Sequence, residues 1–159
     1  MTMKTRIAAA VAAAAIVLGA GIAAAQNYSL APAYGTLNLS AGFTPDPQVV
    51  NVQAGGNRSA QALSSSCQGF IANAPDVRLN YQAGGYQLMI SADSSADTTL
   101  VINGPDGSWY CDDDGGNNGL NPLLRFNNPG SGQYDIWIGT YSSGSLQPAQ
   151  LYISEIGSR

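Results

Sequence analysis

The sequence predicts an all-β fold in which antiparallel sheets pack face to face. Beyond residue 25, apolar and β-branched residues alternate or cluster in short runs. Gly, Ser, Asn, Asp and Pro interrupt these runs every several residues, as turns between short strands do. No stretch of the same region has the periodicity of a long amphipathic helix, so helical crossovers between parallel strands are not expected.

The first 25 residues are predicted to be a cleaved signal peptide that precedes the fold. Lys4 and Arg6 supply a positive start, residues 7–20 an uncharged apolar run, and residues 23–25 a small-residue cleavage site. A transmembrane anchor is the alternative, but the run is alanine-rich and lacks a basic stop. We therefore expect one secreted or periplasmic domain over residues 26–159.

The strands are predicted from local pattern, in chain order, after a loose lead-in at residues 28–34. The segment GTLNLS alternates cleanly, TTLVIN is β-branched and apolar, and QYDIWIGTY alternates aromatic with β-branched residues. Residues 104–107, GPDG, have the composition of a hairpin turn. Residues 54–65 are polar and give no strand signal. The expected strands are 35–40, 48–52, 67–72, 77–81, 86–92, 98–103, 108–111, 123–126, 133–141 and 149–156.

The charge balance excludes two classes of partner. Four cations follow the signal, Arg58, Arg78, Arg125 and Arg159, against ten Asp and Glu. Nucleic-acid binding needs clustered Lys and Arg, and docking on anionic lipid needs the same. We expect Arg78 and Arg125 to pair with acidic neighbours, and we expect no membrane span after the signal.

Cys67 and Cys111 are the only cysteines, and export makes a disulfide between them the default. A thiolate nucleophile is the alternative, but it needs a nearby base and the chain contains no histidine. The same absence argues against Ser-His-Asp catalysis and against zinc. A general acid and base pair of carboxylates is the remaining enzymatic alternative.

Residues 112–119, DDDGGNNG, concentrate acceptor oxygens with no cation nearby in sequence. Calcium takes six to eight oxygen ligands from Asp, Asn, backbone carbonyls and water. We predict a calcium site formed by Asp97, Asp112, Asp113, Asp114 and Asn118, with Asp97 brought close by the hairpin. The spacing is not that of an EF-hand loop. The alternative is a solvated turn, because such turns have this composition.

The aromatic residues Trp109, Tyr110, Tyr134, Trp137 and Tyr141 admit two interpretations. They could form a platform for carbohydrate or peptide. We favour core positions over a platform, with about half of them facing inward because alternate residues of a strand do so. Trp137 is expected to be buried and Trp109 to pack on the disulfide.

The order of three segments, DTTL, PDG and DDDGG, followed by GQYDIWIG, resembles the bacterial pre-peptidase C-terminal domain family. The resemblance spans residues 76–156. It implies a jelly-roll-like β-sandwich without catalytic activity, usually appended to secreted proteases. Related collagen-binding modules use acidic loop residues for calcium, which implies Asp97 and residues 112–114 here.

Together these observations predict a secreted, non-catalytic binding or structural module, stabilised by calcium, whose partner is an extracellular or periplasmic protein or polysaccharide. One alternative is a small hydrolase or protease-accessory protein that uses the acidic loop. Another is an assembly subunit joined by strand addition through residues 35–40.

Overall fold

The computed structural model describes residues 27–142 and 144–158, and the predicted signal peptide lies outside this part of the chain. The described residues form eleven strands and one 3-10 turn, Ala60–Ala62. The strands are β1 (Thr36–Ser40), β2 (Gln48–Ala54), β3 (Arg58–Ser59), β4 (Phe70–Ile71), β5 (Val77–Gln82), β6 (Leu88–Asp93), β7 (Thr98–Asn103), β8 (Trp109–Asp112), β9 (Leu123–Phe126), β10 (Gly132–Thr140) and β11 (Gln147–Ser154).

The strands form two sheets that pack together, so the predicted all-β sandwich is confirmed. In sheet A, β10 lies between β7 on one side and β5 with β4 on the other; β1, β3 and β8 extend the sheet outward. Sheet B has the order β2-β11-β6-β9. The predicted turn at residues 104–107 joins β7 to β8 as an antiparallel hairpin, with the Gly107 amide donating to the Gly104 carbonyl at 2.9 Å.

Two expectations about strands need correction. Strand β1 pairs with β5 in parallel, whereas all pairs were expected to be antiparallel. The strand expected at residues 67–72 is reduced to Phe70–Ile71, because Cys67 is held in the disulfide and Gly69 has a φ of 83°. Residues 58–62, where no strand was expected, form the short β3 and the 3-10 turn.

The main core lies between the sheets and comes from alternate residues of the long strands. Strand β10 contributes Tyr134, Ile136 and Ile138, and β11 contributes Leu151 and Ile153, all at most 1% exposed. The intervening β10 residues point to the outer face of sheet A. The outer face of sheet A is therefore not part of the core between the sheets.

One end of the sandwich is closed by a buried carboxylate. Glu155 accepts hydrogen bonds from the Tyr81 hydroxyl at 2.5 Å and from the Gly42 amide at 2.8 Å. Burial, followed by this carboxylate, raises the pKa of Tyr81 above its usual value. These bonds join the loop after β1 to the end of β11. Among the described residues, no helix has the length and apolar character to cross a membrane.

Candidate functional site

The strand registers of sheet A arrange its outer face in rows across the strands. The first row contains Cys111, Val101 and Trp137. The second contains Trp109, Asn103, Asp135, Arg78 and Thr36, from β8 to β1. The third contains Gln133, Asn80 and Asn38, and the fourth Gln82 and Ser40. The first row is apolar, the second contains the oppositely charged Arg78 and Asp135, and the third and fourth are polar and uncharged.

The apolar row is covered by the chain between β2 and β5. Ala60, Cys67 and Ile71 pack with Val101 and Trp137 into a second buried cluster, against which Trp109 and Cys111 also pack. The predicted disulfide between Cys67 and Cys111 joins the covering segment to β8. Trp137 is fully buried here, as predicted, although it belongs to this outer cluster and not to the core between the sheets.

Where the covering segment ends, the second row opens into a groove of about 560 Å³, which we call the sheet A groove. Its side walls include two aromatic rings: Tyr28, 53% exposed, and Trp109, which packs on Trp137 with a ring separation of 5.5 Å. The polar side chains that line it are Asn103, Ser131, Gln133 and Asp135. Trp109 therefore takes part both in the outer cluster and in the groove.

The groove continues into a shallower depression of about 400 Å³ over the third and fourth rows, and Gly132 and Gln133 line both. The depression presents carboxamides and a hydroxyl. Asn80 donates to the Asn38 side-chain oxygen at 2.8 Å, and the Ser40 hydroxyl donates to Gln82 at 3.2 Å. Together the groove and the depression form a polar surface, in which the charge of Asp135 is neutralised by Arg78.

Asp135 lines the groove, and Arg78, its ion-pair partner, holds one of the groove's walls. The Arg78 Nε donates to the Asp135 carboxylate at 2.7 Å, and the other Asp135 oxygen accepts from the Gln133 amide at 2.6 Å. The Arg78 Nη2 donates to the carbonyls of Tyr28 at 2.5 Å and Leu30 at 3.1 Å. The expected pairing of Arg78 is confirmed, and it also positions Tyr28 at the groove.

The acidic loop lies apart from the groove, and two of its predicted ligands have other partners. The Asp112 carboxylate accepts from the backbone amides of Gly115 and Leu123, each at 2.8 Å. The Asn118 side chain donates to Asp93 at 2.8 Å. Asp112 thus stabilises the loop from within, as aspartate commonly does in turns.

Asp97 lies close to the other two acidic residues of the loop. Burial, followed by the negative charges of Asp114 and Asp113, raises the pKa of Asp97. One Asp97 carboxylate oxygen is buried without a hydrogen-bond partner, which is a feature that a cation would relieve. Within residues 27–142 and 144–158, however, no three Asp, Glu, His or Cys side chains converge in a way that could hold a metal ion. Any calcium would need backbone or water oxygens as further ligands.

A second carboxyl with a raised pKa lies inside the protein. Asp76 is 2% exposed, and its carboxylate accepts from the Ile138 amide of β10 at 2.7 Å. Burial raises the pKa of Asp76 to about 7, and the hydrogen bond from Ile138 opposes this. Neither Asp76 nor Asp97 lines the sheet A groove. Neither of these two carboxyls could therefore act as an acid or base on a ligand bound in the groove.

Several residues that organise these sites carried no sequence signal. Asn121, 2% exposed, accepts from the Thr98 hydroxyl at 2.6 Å and donates to the Ser94 carbonyl at 3.0 Å, so it fixes the acidic loop against the start of β7. Tyr28 and Gln133 line the groove from segments 105 residues apart. Asn121 lies in a run of Asn and Gly that resembles an exposed turn. Tyr28 lies outside the strands and is held at the groove by the hydrogen bond from Arg78 to its carbonyl.

Comparisons with protein-family models and with curated proteins find no match to this chain. Among solved structures, the chain is similar to Aeromonas hydrophila PliG, a periplasmic lysozyme inhibitor of g-type lysozyme. The TM-score is 0.43 and the identity 13%, over 75% of this chain and 96% of that chain. A likeness this distant says nothing about what the present chain binds.

Proposed function

We propose that this protein is an exported, non-catalytic binding module whose ligand site is the sheet A groove. The observation that carries the proposal is that the groove, flanked by Tyr28 and Trp109, shares Gly132 and Gln133 with the amide-lined depression, so that the two form one polar surface. Binding sites combine aromatic walls with a few directed polar groups in this way. The predicted signal peptide supports export, and the resemblance to pre-peptidase C-terminal domains supports a non-catalytic role.

The groove is suited to binding because its shape is fixed before a ligand arrives. Strand β10 contributes Gly132, Gln133 and Asp135 to the groove. The disulfide cluster holds Trp109, and Arg78 holds the segment that carries Tyr28. A preformed site loses less conformational entropy on binding than a flexible one.

The experiment is a binding screen with a groove-blocking variant. Purified residues 26–159 are titrated, by tryptophan fluorescence, with neutral and acidic polysaccharides and with extended and folded proteins. We expect saturable binding to one class, abolished by Gln133→Trp, which fills the groove, and retained by Gln150→Trp on the outer face of sheet B. Binding that survives Gln133→Trp, or no binding to any class, would refute the proposal. Turnover of any bound substrate would favour the hydrolase alternative.

The acidic loop supports calcium stabilisation as a second, independent role. Asp97 provides a buried oxygen without a partner, and the charges of Asp113 and Asp114 lie close to it. A calcium ion there would remove the mutual repulsion of these carboxylates. Asp112 would contribute indirectly, since its carboxylate holds the loop backbone in place.

A further inference from the structure

We infer that the ligand of the sheet A groove is a neutral oligosaccharide. The inference rests on the proposed function and names its ligand class. It follows from three properties of the outer face of sheet A: its charge balance, the occupation of its main-chain groups, and the kind of polar side chain that it presents.

The groove has no free charge to offer a charged ligand. Asp135 is the charged residue among those that line the groove. Its carboxylate pairs with the Arg78 Nε at a distance of 2.7 Å. Asp135 is 1% exposed. A charged ligand would lose hydration in the groove without gaining an oppositely charged partner. Binding it would therefore cost more desolvation free energy than binding a neutral ligand.

The main chain of the central strand β5 is used within the sheet. Strand β5 is paired with β1 on one side and β10 on the other, and β10 is also paired with β7 from Asp135 to Thr140. An extended peptide binds a sheet by adding to an edge strand, where amides and carbonyls are free. A ligand lying across β5 must therefore bring its own donors and acceptors to side chains.

The side chains that remain available are carboxamides and hydroxyls. Gln133, Asn80 and Asn38 form one row across three strands, with Ser40 and Gln82 beside them. Each carboxamide both donates and accepts, and so does each hydroxyl. Sugar hydroxyls have the same dual character, and the flat apolar face of a sugar ring packs against aromatic rings such as Tyr28 and Trp109. The row crosses three neighbouring strands, a span of about 10 Å.

The chain supplies a matched pair of tyrosines for the test. Tyr28 lines the groove and is 53% exposed; Tyr86 lies between β5 and β6, outside it, and is 54% exposed. Both substitutions remove an exposed ring, and neither ring belongs to a buried cluster. The variants Tyr28→Ala and Tyr86→Ala should therefore fold equally well, which thermal melts verify before binding is measured.

Calorimetric titrations use four probes: hexamers of glucose and of N-acetylglucosamine, a uronic acid hexamer, and an uncharged capped hexapeptide. We expect a neutral hexamer to bind, Tyr28→Ala to weaken it about tenfold, and Tyr86→Ala to leave it unchanged. Tighter binding of the uronic acid hexamer or of the peptide, with the same dependence on Tyr28, would overturn the inference that the ligand is a neutral oligosaccharide. The proposed binding function would still stand. Equal affinities of the two variants would overturn the assignment of the ligand to this groove.

Discussion

The side chain of Arg78 lies at the centre of the outer face of sheet A because Asp135, directly opposite it in register, neutralises its charge at 2.7 Å. Their side chains are 17% and 2% exposed, so the pair is largely removed from water. The same guanidinium binds the carbonyls of Tyr28 and Leu30. A single ion pair thus connects the N-terminal segment, β5 and β10, and its loss has consequences for both stability and the groove.

We predict that Arg78→Met lowers the free energy of unfolding by about 3 kcal/mol, because Asp135 is left as a buried, unpaired carboxylate. Urea denaturation measures the change. The control is Arg125→Met. Arg125 is exposed and, among the described residues, donates to the neutral Gln87 and not to the acidic neighbour that was expected, so its loss should cost less than about 0.5 kcal/mol. The double variant Arg78→Met, Asp135→Asn should recover part of the loss. Equal small effects of both arginine variants would contradict the structural role of the pair.

Loss of the disulfide is predicted to destabilise the protein by about 4 kcal/mol, the chain-entropy value for a closed loop of this length. Cys67 and Cys111 are 44 residues apart. The effect should begin in the covering segment, where the Ala60 amide donates to the Gly69 carbonyl at 2.9 Å. Hydrogen exchange of the Cys67→Ser, Cys111→Ser variant should therefore speed up at Ala60 before it does at Leu100. Uniform acceleration across both would show that the outer cluster is not a separate unit.

Asp76 should make the protein less stable as pH rises from about 4 to about 7. Its pKa is raised from 3.8 to about 7 in the folded state, so over this window the folded protein holds a proton that the unfolded chain has lost. Stability therefore falls with pH until the folded carboxyl also ionises, by up to about 4 kcal/mol, and is then flat with respect to this group. The measurement is the unfolding free energy of the wild type minus that of Asp76→Asn at several pH values, which cancels other groups. A difference independent of pH would contradict the prediction.

Calcium at the acidic loop should raise the melting temperature of the mature, oxidised protein relative to chelator. Binding to the folded state alone stabilises by about 2.7 kcal/mol at a hundredfold excess over Kd. Asp114→Ala and Asp97→Asn should each abolish the rise. Asp106→Asn, in the turn between β7 and β8, should retain it because Asp106 lies in a different loop. A calcium-independent wild type would identify the loop as a solvated turn that Asp112 and Asn121 hold together.

The sequence was sufficient to predict most strands because their signal is local. The alternation of QYDIWIGTY matches β10, and the turn GPDG lies where the structure places the hairpin. The pairing of β1 with β5 had no such signal, because the choice of a neighbouring strand depends on contacts between segments 42 residues apart in register. The covering segment was equally hidden, since its few apolar residues become meaningful only when Trp137 lies beneath them.

For the candidate sites, the sequence indicated which residues have suitable functional groups, whereas the fold determined which of them lie close together. The acidic residues Asp97 and 112–114 could be recognised from composition. The hydrogen bonds that Asp112 accepts from the loop backbone could not be predicted in this way. No pattern in the sequence predicted the groove. Its amides belong to strands whose alternation marks them only as outward-facing, and Tyr28 belongs to a segment with no regular pattern.

By itself, the sequence determined the all-β class, the positions of the long strands and the one possible disulfide; export, expected from its first 25 residues, stays a prediction. These follow from residue type and short-range order, which act within a few residues along the chain. The tertiary structure alone decided which strands are neighbours, which face of sheet A is covered, and where its polar rows open into a groove. Register is a long-range property, and a shift of one residue would exchange the inner and outer faces of a strand.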